Sequence, residues 1–147
     1  YGATKMLIER LLKEYEQMNP DTKYRCVRYG NVLYSTGSVL CKWKDKLKKG
    51  EDIIVTDLDS TRFYWTVDEA IDLIFECMEK ATDCSPFFPK MKSIKMFDLV
   101  EAMMDKYGNA HMEIIGLQPG ENKHELCGGL WSNEVDQYTK DEIMEMI

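Results

Sequence analysis

Apolar residues recur at helical spacing from almost the first position, with Leu7, Ile8, Leu11, Leu12, Tyr15 and Met18 on one face. This spacing predicts a helix that ends at Asn19-Pro20, because proline pushes its predecessor out of the helical region and Asp21 suits a turn. Tyr24 to Val32 reads as a buried strand. A basic amphipathic helix is expected from Ser38 to Lys49, stopped by Gly50, and a short strand from Ile53 to Val55. Thr66 with Glu69 three residues on is a capping-box sequence, which opens a strong helix to about Ala81. Its expected apolar face is Val67, Ala70, Ile71, Ile74, Phe75 and Met78. Further on, Ser85 to Pro89 is extended, Met96 to Tyr107 is amphipathic and helical, and Met112 to Leu117 is a strand. Pro119-Gly120 is expected to turn into a short helix through Glu125, and Asp141 to Ile147 to form a last helix. Strands separated by helices predict an α/β fold. With no repeat, low-complexity tract or long linker, the pattern suggests part of one compact body.

The helical pattern begins without an N-cap residue before it, and position 1 is Tyr rather than Met. The expectation is a chain cut from something longer, close to a helix start.

Composition narrows the class. The 147 residues are 44% apolar and 31% charged, which suits a soluble domain and excludes disordered and fibrous classes. No apolar run approaches a transmembrane helix and no secretory signal is visible, so the expected setting is cytoplasmic, away from membranes. With 19 basic and 26 acidic side chains the net charge is −7, and the basic residues are spread out, so nucleic acid is not an expected partner. Cys26, Cys41, Cys77, Cys84 and Cys127 are odd in number and lack a Cys-x-x-Cys pair; they read as reduced, mostly buried thiols. His111 and His124 share no metal-ligand spacing with each other or with cysteine, so no metal is expected and a surface or supporting role suits them better.

Tyr1 and Lys5 are four apart and so project from one helix face. A phenol with a pKa of about 10 is a poor base at neutral pH, but a nearby ammonium favours the phenolate, which takes a proton from an alcohol. Tyr and Lys at this spacing arise by chance in many helices, and read alone Lys5 is a solvated surface side chain.

The context is Tyr1-Gly2-Ala3-Thr4-Lys5, Arg28-Tyr29-Gly30-Asn31-Val32, Ser35-Thr36-Gly37-Ser38-Val39, Thr56-Asp57, Thr61-Arg62-Phe63 and Gly116-Leu117-Gln118-Pro119-Gly120-Glu121-Asn122-Lys123-His124-Glu125. In this order and spacing the chain resembles the extended short-chain dehydrogenase/reductase family, in its branch of UDP-N-acetylglucosamine 4,6-dehydratases, the polysaccharide biosynthesis proteins. The resemblance covers nearly the whole chain. It implies the C-terminal part of an NAD(P)-binding Rossmann-like fold with its small substrate-binding subdomain. Residues 1–36 would end the Rossmann-like domain and 37–147 would be mainly the substrate-binding subdomain and C-terminal elements.

The resemblance also implies chemistry. Tyr1 and Lys5 match the catalytic pair: the Tyr helps deprotonate the C4 hydroxyl of the hexose as hydride leaves for NADP (or NAD), and the Lys bonds the nicotinamide ribose. Water is then lost across C5 and C6, using an Asp-Lys pair that in the family lies upstream of the Tyr. Most of the cofactor site would lie on an N-terminal half, and no Gly-rich dinucleotide loop occurs here. Val32, Leu33, Tyr34, Ser35 and Thr36 match the stretch passing the nicotinamide. Where the family usually has Gly-Ser-Arg-Gly, this chain has Tyr34-Ser35-Thr36-Gly37; a tyrosine there crowds the cofactor, and losing the arginine removes a charge contact. For substrate the resemblance implies Asn31 and Thr56 at the sugar nucleotide, Arg62 at the diphosphate, and Glu121 at the ribose or uracil side. Without the resemblance Asn31 is as readily a residue capping a strand end, Arg62 a surface arginine, and Glu121 the start of a helix near its positive end. Gln118 stands where the family commonly has Arg, which removes a second cationic hold worth roughly 1–3 kcal/mol.

Three readings stay open: a portion of the dehydratase, inactive without its other half; a truncated remnant that at most binds a UDP-sugar; and a 4-epimerase or reductase of the same superfamily. For the full-length form the resemblance implies a homo-oligomer. A parallel sheet is normally covered on both faces, so the apolar sides of the first helix and strand are expected to be exposed.

Overall fold

A computed structural model describes residues 2–147, which form two compact units. The first comprises the residues up to Tyr29 together with Val67–Lys90; the second comprises Gly30–Thr66 and Met91–Ile147. Among the described residues no helix is long and apolar enough to cross a membrane.

The first unit holds α1 (Gly2–Met18), β1 (Cys26–Val27), α3 (Val67–Lys80) and β5 (Pro86–Phe87), with β1 parallel to β5. Helix α1 ends where Pro20 required, and none of its residues is buried. Met6, Leu7, Ile8, Leu11, Tyr15 and Met18 are all exposed, as expected for the first helix, whereas Cys26 of the first strand is buried. Helix α1 meets its neighbours through polar contacts and through the Tyr15 ring, which stacks on Tyr24 with ring centres 6.2 Å apart. The Glu9 carboxylate accepts from the Arg28 guanidinium and is thereby held below the usual carboxylate range. Glu16 accepts from the Cys84 backbone N–H at 3.2 Å.

Helix α3 corrects the reading of its apolar face. The buried side is Ala70, Leu73 and Cys77, while Val67, Ile71, Ile74, Phe75 and Met78 are exposed. Apolar residues span so much of this helix that periodicity could not tell which edge of the stripe meets the unit's own core. Cys26, Cys77 and Cys84 are buried thiols, and burial pushes each pKa up; Cys41 and Cys127 are half-buried.

The second unit contains β2 (Asn31–Val32), α2 (Val39–Lys49), β3 (Ile53–Val55), β4 (Thr61–Trp65), β6 (Ser93–Lys95), α4 (Met96–Tyr107), β7 (Met112–Ile114), the hairpin β8 (Leu126–Cys127) with β9 (Leu130–Trp131), and α5 (Lys140–Met146). A three-stranded sheet runs β2-β4-β6, with β2 parallel and β6 antiparallel to β4; β3 pairs in parallel with β7. The core lies among α2, α4, α5 and these strands, built on Leu40, Trp43, Leu47, Ile53, Ile94, Leu99, Met103 and Ile143. Thr139 and Glu142 close a capping box on α5.

Three differences from the sequence pattern concern the site. The single strand expected from Tyr24 to Val32 is two, β1 and β2, which pair with different partners in different units. Strands β4 and β6 were not anticipated; β4 has three buried residues in five, without a clean two-residue alternation. The helix expected after Pro119-Gly120 is absent. Instead Glu121 N–H donates to Gln118 C=O at 2.9 Å and Gly120 sits at φ 89, a type II turn with proline at its second position. Such a turn reverses the chain and leaves residues 121–125 as a loop leading to the hairpin.

Candidate functional site

Strand β4, the end of β2 and the loop at residues 118–125 converge in the second unit. Gly30 makes the convergence geometrically feasible: a Cβ there would lie 2.5 Å from the Phe63 carbonyl oxygen. The adjacent Asn31 donates through Nδ2 to that same carbonyl at 3.1 Å and to the Glu125 carboxylate at 3.0 and 3.2 Å. Glu125 also accepts from Phe63 N–H at 2.9 Å and faces Arg62 Nε at 3.7 Å.

Arg62 is held from several sides. Its Nη1 donates to Thr61 C=O at 2.8 Å and to Lys123 C=O at 2.9 Å, and its Nη2 donates to Asn122 C=O at 2.8 Å. Three N–H groups are therefore committed to backbone, and the guanidinium fastens the loop while keeping its charge at the cavity. A free two-oxygen grip on a diphosphate, the simplest expectation for this residue, would require some of these bonds to be exchanged.

Behind the arginine runs a short polar chain. His124 Nδ1 lies 2.8 Å from Thr61 Oγ1, which lies 2.6 Å from Ser132 Oγ, and Ser132 donates to Thr61 C=O at 3.0 Å. Since the Ser132 proton goes to a carbonyl, Thr61 must donate to Ser132, and His124 must donate from Nδ1. Ser132 also accepts from Glu125 N–H at 2.8 Å. This supporting place for His124 agrees with its sequence reading; Ser132 was not singled out from sequence.

Beside them opens a cavity of about 190 Å3 whose lining includes Asn31, Thr56, Arg62 and Glu121, four of the five substrate residues inferred from sequence. The fifth, Gln118, is exposed and not among the lining residues; its backbone N–H donates to the Glu121 carboxylate at 3.0 Å. Trp43 and Tyr64 form further wall, with Trp43 Nε1 bonded to Ile54 C=O at 3.0 Å. Glu125, Trp43 and Tyr64 were not singled out from sequence, although Glu125 closes the Pro-Gly-Glu segment quoted above.

Burial, reinforced by the Glu125 carboxylate and opposed by Arg62, pushes the Tyr64 phenol up to about 12. The unfolded phenol ionises at about 10, so folding favours the protonated form. This contribution is complete below pH of about 10 and is lost as pH rises towards about 12, by roughly 3 kcal/mol. Tyr64→Phe is expected to flatten that decline, read as urea unfolding midpoints across the same range; parallel declines would contradict it.

Of the residues assigned to cofactor and catalysis, Tyr1 lies outside the described residues. Lys5 is exposed on the first turn of α1, in the first unit. Val32 is half-buried in β2, and Leu33 is buried in the second unit's core, so its side chain serves packing. Tyr34 takes a left-handed conformation at φ 55, uncommon for a residue with a side chain. Its ring packs beside that core: the hydroxyl lies 3.0 Å from the Tyr107 hydroxyl, and the Lys44 ammonium stands 4.8 Å from the ring centre. Burial and the bond to Tyr107 hold the Tyr34 phenol well above its ordinary range. At Tyr107 burial acts upward, but the Tyr34 bond and Lys44 outweigh it and lower the pKa. Ser35 and Thr36 are exposed. Among the described residues no group of three or more His, Cys, Asp or Glu could hold a metal ion.

Known proteins agree with the resemblance. An uncharacterised membrane protein of Methanocaldococcus jannaschii is 37% identical over 84% of this chain and 40% of its own length. A UDP-N-acetylglucosamine 4,6-dehydratase (inverting) of Campylobacter jejuni is 32% identical over 86% of this chain and 38% of its own. The X-ray structure of Pen from Bacillus thuringiensis superimposes with a TM-score of 0.87 at 30% identity, covering 100% of this chain and 56% of that one. The chain thus spans 40% or less of these two curated relatives, and the α/β fold expected from sequence is shared along its whole length with a solved relative. Residues 1–146 match a single family description, and the chain belongs to the polysaccharide biosynthesis protein family.

Proposed function

We propose that this chain carries the sugar-nucleotide side of a nicotinamide-dependent UDP-N-acetylglucosamine 4,6-dehydratase, a hydro-lyase of polysaccharide or glycan biosynthesis. The observation that carries this reading is that Asn31, Thr56, Arg62 and Glu121, distant in sequence and assigned to the same ligand by resemblance, line one cavity. Its volume of about 190 Å3 is below the roughly 300–1,000 Å3 of complete small-molecule sites, which suits part of a nucleotide sugar. Arg62 supplies the positive charge that a diphosphate needs, and the Glu121 carboxylate is an acceptor for ribose hydroxyls. The Campylobacter relative carries this activity in its name.

The stretch that would meet NADP or NAD in this reading is Val32 to Thr36. The Tyr34 ring is engaged with Tyr107 and Lys44, and the exposed Ser35 and Thr36 can meet a polar group. When bound, the nicotinamide supplies the hydride acceptor. The chain's own part would be proton removal, with the Tyr1 phenol taking the proton of the C4 hydroxyl and Lys5 four residues on in the sequence.

Calorimetric titration of the chain with UDP-N-acetylglucosamine tests the reading. Arg62→Ala is expected to weaken binding at least tenfold, the scale of one hydrogen bond to a charged group. Arg62→Lys, which keeps the charge but loses the hold on the loop, is expected to fall between the two. A folded wild-type chain that does not bind would overturn the assignment.

A further inference from the structure

The Glu125 carboxylate lies under the Asn31 amide at 3.0 and 3.2 Å, and the Phe63 carbonyl lies on its other side at 3.1 Å. Both of these partners only accept hydrogen bonds at those atoms, so the Asn31 amide has one satisfactory orientation, with its NH2 group towards them. Its two donors are then committed, and Oδ1 is the polar atom left for a ligand at the cavity that Asn31 lines. Glu125 cannot easily shift away. Its backbone is tied to Ser132 at 2.8 Å, its carboxylate takes Phe63 N–H at 2.9 Å, and Arg62 faces it at 3.7 Å.

We propose that Glu125 is a positioning residue that fixes the Asn31 amide with its oxygen towards the ligand, so that this point of the site selects a hydrogen-bond donor rather than a phosphate oxygen. The ligand part of this proposal rests on the nucleotide-sugar reading above. A sugar hydroxyl or the N–H of an acetamido group satisfies Oδ1, whereas a phosphate oxygen there would face another acceptor and the nearby carboxylate. Phosphate is left to Arg62. A glutamine at position 125 would offer one acceptor oxygen in place of two and no charge, so it could not serve Asn31, Phe63 N–H and Arg62 together.

Two measurements on the whole chain test this. In nitrogen-15 spectra the Asn31 side-chain amide protons are expected to show slowed rotation and exchange in the wild type, and to lose both in Glu125→Gln. Fast, solvent-like Asn31 amide protons in the wild type would overturn the orientation whether or not any ligand binds. The second is a double-mutant cycle read by UDP-N-acetylglucosamine affinity. Glu125→Gln is expected to weaken binding about tenfold on the wild-type background but less than about twofold when Asn31 is already alanine. An equal loss on both backgrounds would show that Glu125 acts through something other than Asn31. Absence of binding by the folded wild type would defeat the nucleotide-sugar reading and with it the ligand selectivity. The amide spectra of that same sample would still decide the positioning role.

Discussion

Gly30→Ala is expected to destabilise the second unit by about 3 kcal/mol and to abolish measurable UDP-sugar binding. The added methyl would stand 2.5 Å from the Phe63 carbonyl oxygen and 2.6 Å from its Cβ, distances at which something must move. The obstacle is mainly backbone, and that carbonyl also accepts from the Asn31 amide. Relief of the clash therefore separates β2 from β4 and breaks the contact that orients Asn31. The loss should appear as a lower urea midpoint by circular dichroism, with affinity falling even at temperatures where the chain remains folded. A stability unchanged to within about 0.5 kcal/mol would mean that β2 and β4 leave room for a side chain at position 30.

The second large effect is expected at Trp43. This side chain of α2 is 3% exposed, belongs to the core cluster and lines the cavity. Trp43→Ala removes a large apolar side chain and should cost about 3–5 kcal/mol. It would also merge core and cavity, leaving the Ile54 carbonyl without the indole N–H now 3.0 Å away. Trp43→Phe keeps most of the packing and loses that bond, for about 1 kcal/mol. Equal losses for the two variants, measured by chemical unfolding, would show that the hydrogen bond rather than the packing dominates at this position.

Both positions illustrate how the site depends on groups with little sequence signature. Arg62 and Glu121 sat in recognisable short motifs, and their chemistry could be read from residue type. Glu125 could not be assigned a task in that way, because its importance comes from meeting Asn31, 94 positions earlier in the chain. The same holds for Ser132, whose hydroxyl takes on meaning only beside Thr61, 71 positions away.

Local physics was enough for the boundaries of α1, α2 and α4 and for the α/β class, because proline, glycine and helical periodicity act within a few residues. The motifs likewise carried the resemblance to the family, and four of the five residues that it assigned to substrate line the cavity. Tertiary structure alone decided that Tyr24 to Val32 divides into β1 and β2, that Val67–Lys90 joins the unit of the first helix, and which edge of α3 is buried. It also decided that the segment after Pro119-Gly120 is a loop rather than a helix, since Arg62 and Ser132 hold its carbonyls and amides from distant parts of the chain. Those outcomes depend on which surfaces and hydrogen-bonding groups arrive from far along the sequence, and no local propensity encodes that choice.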